Sequence, residues 1–483
     1  MNKRLIYLLI GALVAAGCSD SDNNKTPDIQ PLQGIDIVAT GTITGFGSVM
    51  ANGIEFNTDS ATVTMDGEPG NLSDLRIGMV VSIRGTLSDD SGAGIAREIN
   101  FTDDAEGPIT GINAANNSFV VLGREVIFDE LTVFDDVTPE TLAAGNVVQV
   151  SGQWRSQERI QATHIERKAN AYVAGMQMEV KGEINGLNAA MQSFNIGTQA
   201  CDYSMAMLEL GGADLADGLY VEVSSTSPMS NGDLILDQIQ AHDRDRDRDQ
   251  LCDSDCDFAL NGYVTLFVSA AEFEVDGAPV TTTNDTIYVN GTESDLALDV
   301  KLAVSGTVDT TGVLVADRIV FHLPSVVEIE ASVEAIDANN AEITVLGIAV
   351  TTTDSTLFRD HSSADVREFS LDDLAVGDRV EVRAYVDSGS VVATRLERDD
   401  ADDGVTLKAP VETIARPSVT LLGVMVTSDQ DTIFQDMAQQ VIDADSFFSL
   451  VAIDSLVKAE GTYDGTSIFA GKLFLRDCAN NCL

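Results

Sequence analysis

The sequence has little positive charge: its 483 residues hold 28 Lys+Arg against 77 Asp+Glu, a formal net charge of −49. A nucleic-acid binder needs a cationic footprint for the phosphate backbone, and a chain of pI near 4.1 has none to offer. The same shortage argues against docking on an anionic membrane through a basic patch. Aromatic residues make up 6%, with one Trp, and there are 10 Pro and 6 Cys. No run of about 18 apolar residues occurs, so no segment reads as a membrane-spanning helix. Gly-x-Ser-x-Gly, His-Glu-x-x-His and phosphate-loop motifs are missing too. What is present suits a folded chain of several cores. Hydrophobic residues at 44% suffice for packing, and 39 Gly beside many Val, Ile and Thr suggest short strands joined by tight turns.

The first 17 residues read as a signal rather than as fold. Lys3 and Arg4 precede an apolar stretch from Leu5 to Val14, followed by Ala15-Ala16-Gly17-Cys18. This arrangement resembles the lipobox of bacterial lipoproteins. The resemblance implies cleavage before Cys18, acylation of Cys18 as a membrane anchor and, with Ser19 next, an outer-membrane address. Residues 18–37 read as a flexible polar tether.

Three patterns then recur in the same order six times, every 67 to 81 residues or so. The first is an alternating strand ending in a turn at Gly53, Gly123, Gly197, Gly277, Gly347 and Gly423. The second is Leu-x-x-Gly-x-x-Val-x-Val-x-Gly, beginning at Leu75, Leu142, Leu215, Leu296, Leu374 and, as a variant, Val451. Asp299 and Asp454 replace its first Gly in the fourth and sixth copies. The third is Ala-x-x-Ile, as at Ala96/Ile99, Ala162/Ile165 and Ala316/Ile319. Period-2 alternation makes each copy mostly β, and Thr138-Pro139-Glu140 suggests a short helix or turn before the second pattern. Several short strands in so small a unit are best closed on themselves. The expected fold is therefore all-β: tandem small barrels of the OB or SH3-like kind, spaced like beads on an arm. Their expected limits are 38–104, 105–169, 177–242, 258–323, 326–400 and 404–477, with a linker at 243–257 and a C-terminal loop at 478–483.

The ordered patterns resemble bacterial secreted proteins built from copies of the domain of unknown function 5666. That resemblance implies a fold and an envelope location, and it brings no catalytic residues.

Candidate chemistry is sparse. In an oxidising compartment Cys252 with Cys256 and Cys478 with Cys482 are expected disulfides, which leaves Cys201 odd; Cys201 paired with Cys252 or Cys256 is the rival. Asp243, Asp245, Asp247, Asp249, Asp253 and Asp255 alternate along the linker and suggest a calcium site, although Arg244, Arg246 and Arg248 interleave with them. The four His (His164, His242, His322 and His361) stand apart in the sequence. Trp154 reads as packing under a neighbouring barrel, or as a stacking surface for a sugar or peptide. No catalytic residue and no cofactor-binding residue is singled out. The expected function is a non-enzymatic envelope lipoprotein that binds a protein or glycan, or scaffolds. One alternative is a carbohydrate-processing hydrolase with a carboxylate pair in a cleft between modules; the other is a calcium-responsive acidic surface protein.

Overall fold

The computed structural model describes residues 34–88, 93–156, 158–241 and 257–476. The signal at 1–17, Cys18, the linker aspartates from Asp243 to Asp255, His242 and the pairs Cys252/Cys256 and Cys478/Cys482 lie outside the described residues.

The first barrel shows the plan. The lead strand Gly34–Gly45 turns back into Val49–Ala51, which hairpins onto Ile54–Asn57. Ile54–Asn57 and then Thr62–Met65 run parallel to the last strand, Gly94–Phe101. The last strand is antiparallel to Val80–Ser88, which pairs back onto the lead strand and closes the ring. Closure pairs the strands of the ring, while the first half of the lead strand keeps one edge for another barrel. The same connectivity recurs behind the lead strands Ala105–Asn113, Met178–Asn188, Asp257–Ser269, Val327–Asp337 and Val405–Ala415, each with its parallel closure.

The repeated motifs have distinct jobs in this plan. The hairpin glycines all take positive φ, and in five hairpins the residue before does too: Asn52, Leu122, Asp276, Leu346 and Leu422. Two consecutive positive φ values match the right-handed twist of the flanking strands. Leu122 and Leu346 accept that conformation because their side chains are buried in the core. In the second motif Gly78, Gly145, Gly218 and Gly377 also sit at positive φ, and Asp299 and Asp454 take the same conformation in their place, which Asp tolerates better than most residues. The final Gly of that motif faces the Ala of Ala-x-x-Ile across a β-bulge. Gly85 pairs with Ala96, Gly152 with Ala162, Gly306 with Ala316 and Gly461 with Ala470, each beside a register shift. A Cβ on Gly306 would lie 2.0 Å from the Val315 carbonyl oxygen, so the strands approach too closely there for a side chain. At three of these bulges, and at the equivalent Ala384–Ala393 bulge of the fifth barrel, a loop threonine donates its hydroxyl to the Ala carbonyl: Thr132 to Ala162, Thr286 to Ala316, Thr432 to Ala470 and Thr356 to Ala393, at 2.7–2.8 Å.

Of the two forms expected for Thr138-Pro139-Glu140 the structure has the turn, with Thr141 and Leu142 N–H donating to the Thr138 carbonyl. The α-helix of the described residues is Ala444–Leu450, capped by Asp443. Residues 34–37 of the expected tether are strand, and Asp257 of the expected linker opens the fourth lead strand.

The barrels are not spaced along an arm. The lead strands of the second and third barrels pair antiparallel, as do those of the fifth and sixth. Those of the first and fourth pair in parallel, from Ile37/Asp257 to Thr40/Leu260. The physical reason is that each lead strand overruns its own ring, and the overhanging backbone groups need partners. Pairing also merges cores. One continuous cluster runs through the fifth and sixth barrels and another through the second and third, while Val38 packs in the fourth barrel's core and Ala259 in the first's.

Candidate functional site

The joint between the second and third barrels holds the most perturbed titratable groups. Its antiparallel register sets Glu179 directly opposite Glu106 and Val180 opposite Ala105. Asp103 lies just before the second lead strand. Asp66 sits at the positive-φ turn after Thr62–Met65 of the first barrel, and its Oδ1 accepts the Asp103 N–H at 2.9 Å. Asp66, Asp103 and Glu179 each offer a carboxylate oxygen within 4.8 Å of the others. Asp103 and Glu179 are 2% and 3% exposed. Gln149 Nε2 donates to Asp103 Oδ2 at 3.0 Å, and Gln177 Nε2 donates to Glu179 Oε2 at 2.7 Å. The other oxygens, Asp103 Oδ1 and Glu179 Oε1, are buried with no hydrogen-bond partner among the described residues.

Burial dominates the electrostatics. It pushes the Glu179 carboxyl up to about 8, with Glu222 adding to the rise, and the Glu106 carboxyl up to about 7. Burial raises Asp103 well above the usual carboxylate range, helped by Glu179 and Asp66, and it raises Asp66 as well. The nearby cations do not balance this charge. Lys181 donates to the Asp103 carbonyl and stands 3.6 Å from Glu222, and Lys168 is already paired with Glu166 at 2.9 Å. The neighbouring Asp104 is fully employed, accepting from Gly152 N–H at 2.8 Å and from Trp154 Nε1 at 2.9 Å.

The joint of the fifth and sixth barrels has the same register with the opposite balance. Glu328 lies opposite Lys408 there, as Glu179 lies opposite Glu106. Glu328 is 2% exposed and touches Arg383 at 2.6 Å, Lys458 at 2.7 Å and Lys408 at 3.4 Å. Burial alone would raise its carboxyl, but these cations outweigh burial and hold it down to about 2. Glu130 of the second barrel adds a carboxylate 3.0 Å from Lys408 and 3.4 Å from Arg383, and its carbonyl accepts from Arg395 at 2.6 Å.

The model of the family described as "Domain of unknown function (DUF5666)" matches residues 40–100, 106–166, 261–320 and 330–397, together more than half of the chain. This chain belongs to the DUF5666 family. No curated protein matches it significantly. The DUF5666 matches fall on the first, second, fourth and fifth barrels; the third and sixth have the same strand connectivity without a match.

Within this DUF5666 array the described residues singled out in the sequence are scattered. Cys201 is a free thiol in the third barrel's core, pushed up to about 12 by burial. Trp154 is buried, with its backbone N–H donating to Asp276 of the fourth barrel at 2.7 Å. Asp299 takes both N–H groups of Arg155, and Asp454 stays a turn residue. His164 pairs with Asp135 at 2.9 Å and His361 with Asp399 at 2.9 Å, while His322 is exposed, with Nε2 3.3 Å from Asn261 Nδ2. No two of these histidines meet. Sequence reading missed Asp66, Asp103, Glu106 and Glu179. They come from three repeats and fill no repeated motif position, so only the joint brings them together.

Proposed function

We propose that the protein is a non-catalytic envelope lipoprotein, anchored through Cys18, whose barrels form a rigid acidic block that binds a protein partner. One observation carries the binding reading. The first hairpin of the fourth barrel exposes Leu266, Phe267 and Val268 in succession, with Val268 60% exposed. Beside them lies a shallow depression of about 290 Å³ lined by Ser269, Ala270, Ala271, Thr282, Thr283, Asn284 and Glu293. Phe267 leans on core Phe273, with ring centroids 6.4 Å apart, but all three apolar side chains stay exposed at the hairpin, and such patches commonly mark contact surfaces. The lipobox-like Ala15-Ala16-Gly17-Cys18 supports the anchor, and the charge of −49 supports a strongly solvated surface.

The hydrolase reading asks for converging carboxylates of raised pKa in a cleft. The Asp103 and Glu179 carboxylates converge, but they are buried at a strand joint. Two surface depressions lie elsewhere, at the fourth barrel and between Phe46 and Arg367. That arrangement favours a structural role for the cluster over substrate turnover.

The test is site-specific photocrosslinking in intact cells from position 268, compared with position 141 on another barrel. A discrete adduct from position 268, lost in the Leu266→Ser/Phe267→Ser variant at unchanged melting temperature, supports binding there. Identical adducts from both positions, or none, count against it. Labelling by a palmitate analogue, lost on Cys18→Ala, tests the anchor separately.

A further inference from the structure

We propose that the joint of the first three barrels is a hard divalent-cation site, with Asp66, Asp103 and Glu179 as its protein ligands and Ca²⁺ as its ion. The ion would bridge a turn of the first barrel, the connection to the second and the lead strand of the third. This site is separate from the linker aspartates and does not depend on the reading of the fourth barrel's hairpin.

Three observations support it. The first is the donor set: three carboxylate oxygens within 4.8 Å of one another. Two oxygens on one Ca²⁺, each about 2.3–2.6 Å from the ion, are at most about 4.6–5.2 Å apart. Acidic clusters alone are common, so the second observation matters more. Asp103 Oδ1 and Glu179 Oε1 are buried without a hydrogen-bond partner among the described residues, while Gln149 and Gln177 hold the other oxygen of each carboxylate in place. An ionised oxygen withdrawn from water and left unpaired is strongly unfavourable, so each needs a cation or a proton.

The third observation is the molecule's own internal comparison. The joint of the fifth and sixth barrels is built on the same register, and there Glu328 meets three cations: Lys408, Lys458 and Arg383. Lys408 is opposite Glu328, Lys458 is opposite Lys408, and Arg383 is opposite Glu328 on its other side. With the third barrel set against the fifth and the second against the sixth, the residues at these positions in the second–third joint are Glu106, Gln149 and Ser224. All three positive groups are gone, one has become an acid, and the buried Glu179 remains. Asp66 and Asp103 add two further carboxylates. One buried cation, Lys181, remains against Glu179, Asp103, Asp66 and Glu222, so the joint holds more buried anions than protein counter-charges, which is the pattern expected where an external cation supplies the rest.

The test uses the mature, unlipidated chain stripped with EDTA, at pH 7.5 in 150 mM KCl, titrated with CaCl2 or MgCl2 by calorimetry and thermal melting. One saturable Ca²⁺ site with a rise in melting temperature is expected, with weaker Mg²⁺ binding. Asp103→Asn and Glu179→Gln should each weaken Ca²⁺ binding at least tenfold. Glu106→Lys restores the cation found at position 408; it should melt above the wild type in EDTA and gain nothing from Ca²⁺. Asp66→Asn, at a surface turn, covers the case in which the buried variants fail to fold. No saturable binding by the wild type overturns the site. So does binding that survives in Glu106→Lys and Asp66→Asn, which would place the ion elsewhere. A joint that is stabilised only by acidification, with no Ca²⁺ response at pH 7.5, holds protons instead and also overturns the proposal.

Discussion

Arg155 of the second barrel grips Asp299 of the fourth with two hydrogen bonds, Nε to Oδ1 at 2.6 Å and Nη2 to Oδ2 at 2.5 Å, across 144 residues of sequence. The pairing is bidentate, and the guanidinium also lies 4.9 Å from the centre of the Tyr263 ring. Asp299 is the residue that replaces glycine in the fourth copy of the second motif, so a departure from the repeat became a contact between barrels. Arg155→Ala should loosen this interface by about 1–2 kcal/mol. Hydrogen exchange should accelerate in Lys301–Val308 and leave the sixth barrel unchanged. Uniform exchange across the chain would refute a local role.

Glu328 is the acid on which three cations converge, two of them buried. Glu328→Gln leaves Arg383, Lys408 and Lys458 underpaired and should lower stability by about 3 kcal/mol in urea unfolding. Glu179→Gln in EDTA should act in the opposite direction and stabilise, because it removes a buried charge that faces Glu106. Equal losses in both variants would show that the two joints do not differ as their charges imply.

The joints also predict opposite pH dependences. Glu106 and Glu179 are raised in the fold to about 7 and about 8. Their protonated forms are favoured by folding, so their contribution is complete below the ordinary glutamate value and is lost as pH rises from about 4.5 to 8. In EDTA that loss should be on the order of 2 kcal/mol, allowing for partial exposure of Glu106. It should vanish in Glu106→Gln/Glu179→Gln. Glu328 is lowered to about 2, so its contribution is present above about 4.5 and fades as pH falls toward 2. Difference melts of the variants against wild type from pH 3 to 9 check both signs.

The bulge glycines should resist substitution. A Cβ on Gly152 would lie 2.4 Å from the Gln161 carbonyl oxygen, and one on Gly306 would lie 2.0 Å from that of Val315. Gly152→Ala and Gly306→Ala should each lose on the order of 2 kcal/mol through forced strand separation. In the fifth barrel Ala384 already occupies this position opposite Ala393, so that backbone has made room. Ala384→Gly should lose about 1 kcal/mol or less. Urea midpoints that rank the three variants otherwise would contradict this.

Cys201 should be chemically silent in the native state. Its thiol is buried in the third barrel's core and is raised by burial, so almost no thiolate exists near neutral pH. A thiol-reactive dye should label it only as fast as the protein unfolds. Rapid labelling of Cys201 in native protein would refute its burial, and a peptide linking it to Cys252 would show that it is not free.

How much of this was legible beforehand differs from level to level. Period-2 alternation and the recurring glycines were enough to read an all-β chain of small closed barrels, because strand alternation and positive-φ turns are local requirements. The threonines at 132, 286, 356 and 432 also recur at fixed places in the copies. They pass unnoticed because a hydroxyl has no distinctive spacing until its carbonyl partner is known.

The sequence by itself determined the barrel, through strand periodicity, hairpin glycines and the Gly–Ala bulge pair, all of which act within one repeat. Only the tertiary structure decided which barrels meet and what their meeting makes. The register that places Glu106 against Glu179, and Lys408 against Glu328, belongs to strands of different repeats, and no local preference encodes it. The charge of −49 by itself implies no more than a strongly solvated acidic surface. Part of it is instead buried at joints, where a few ångströms of placement separate a neutralised ion cluster from one that lacks its counter-charge.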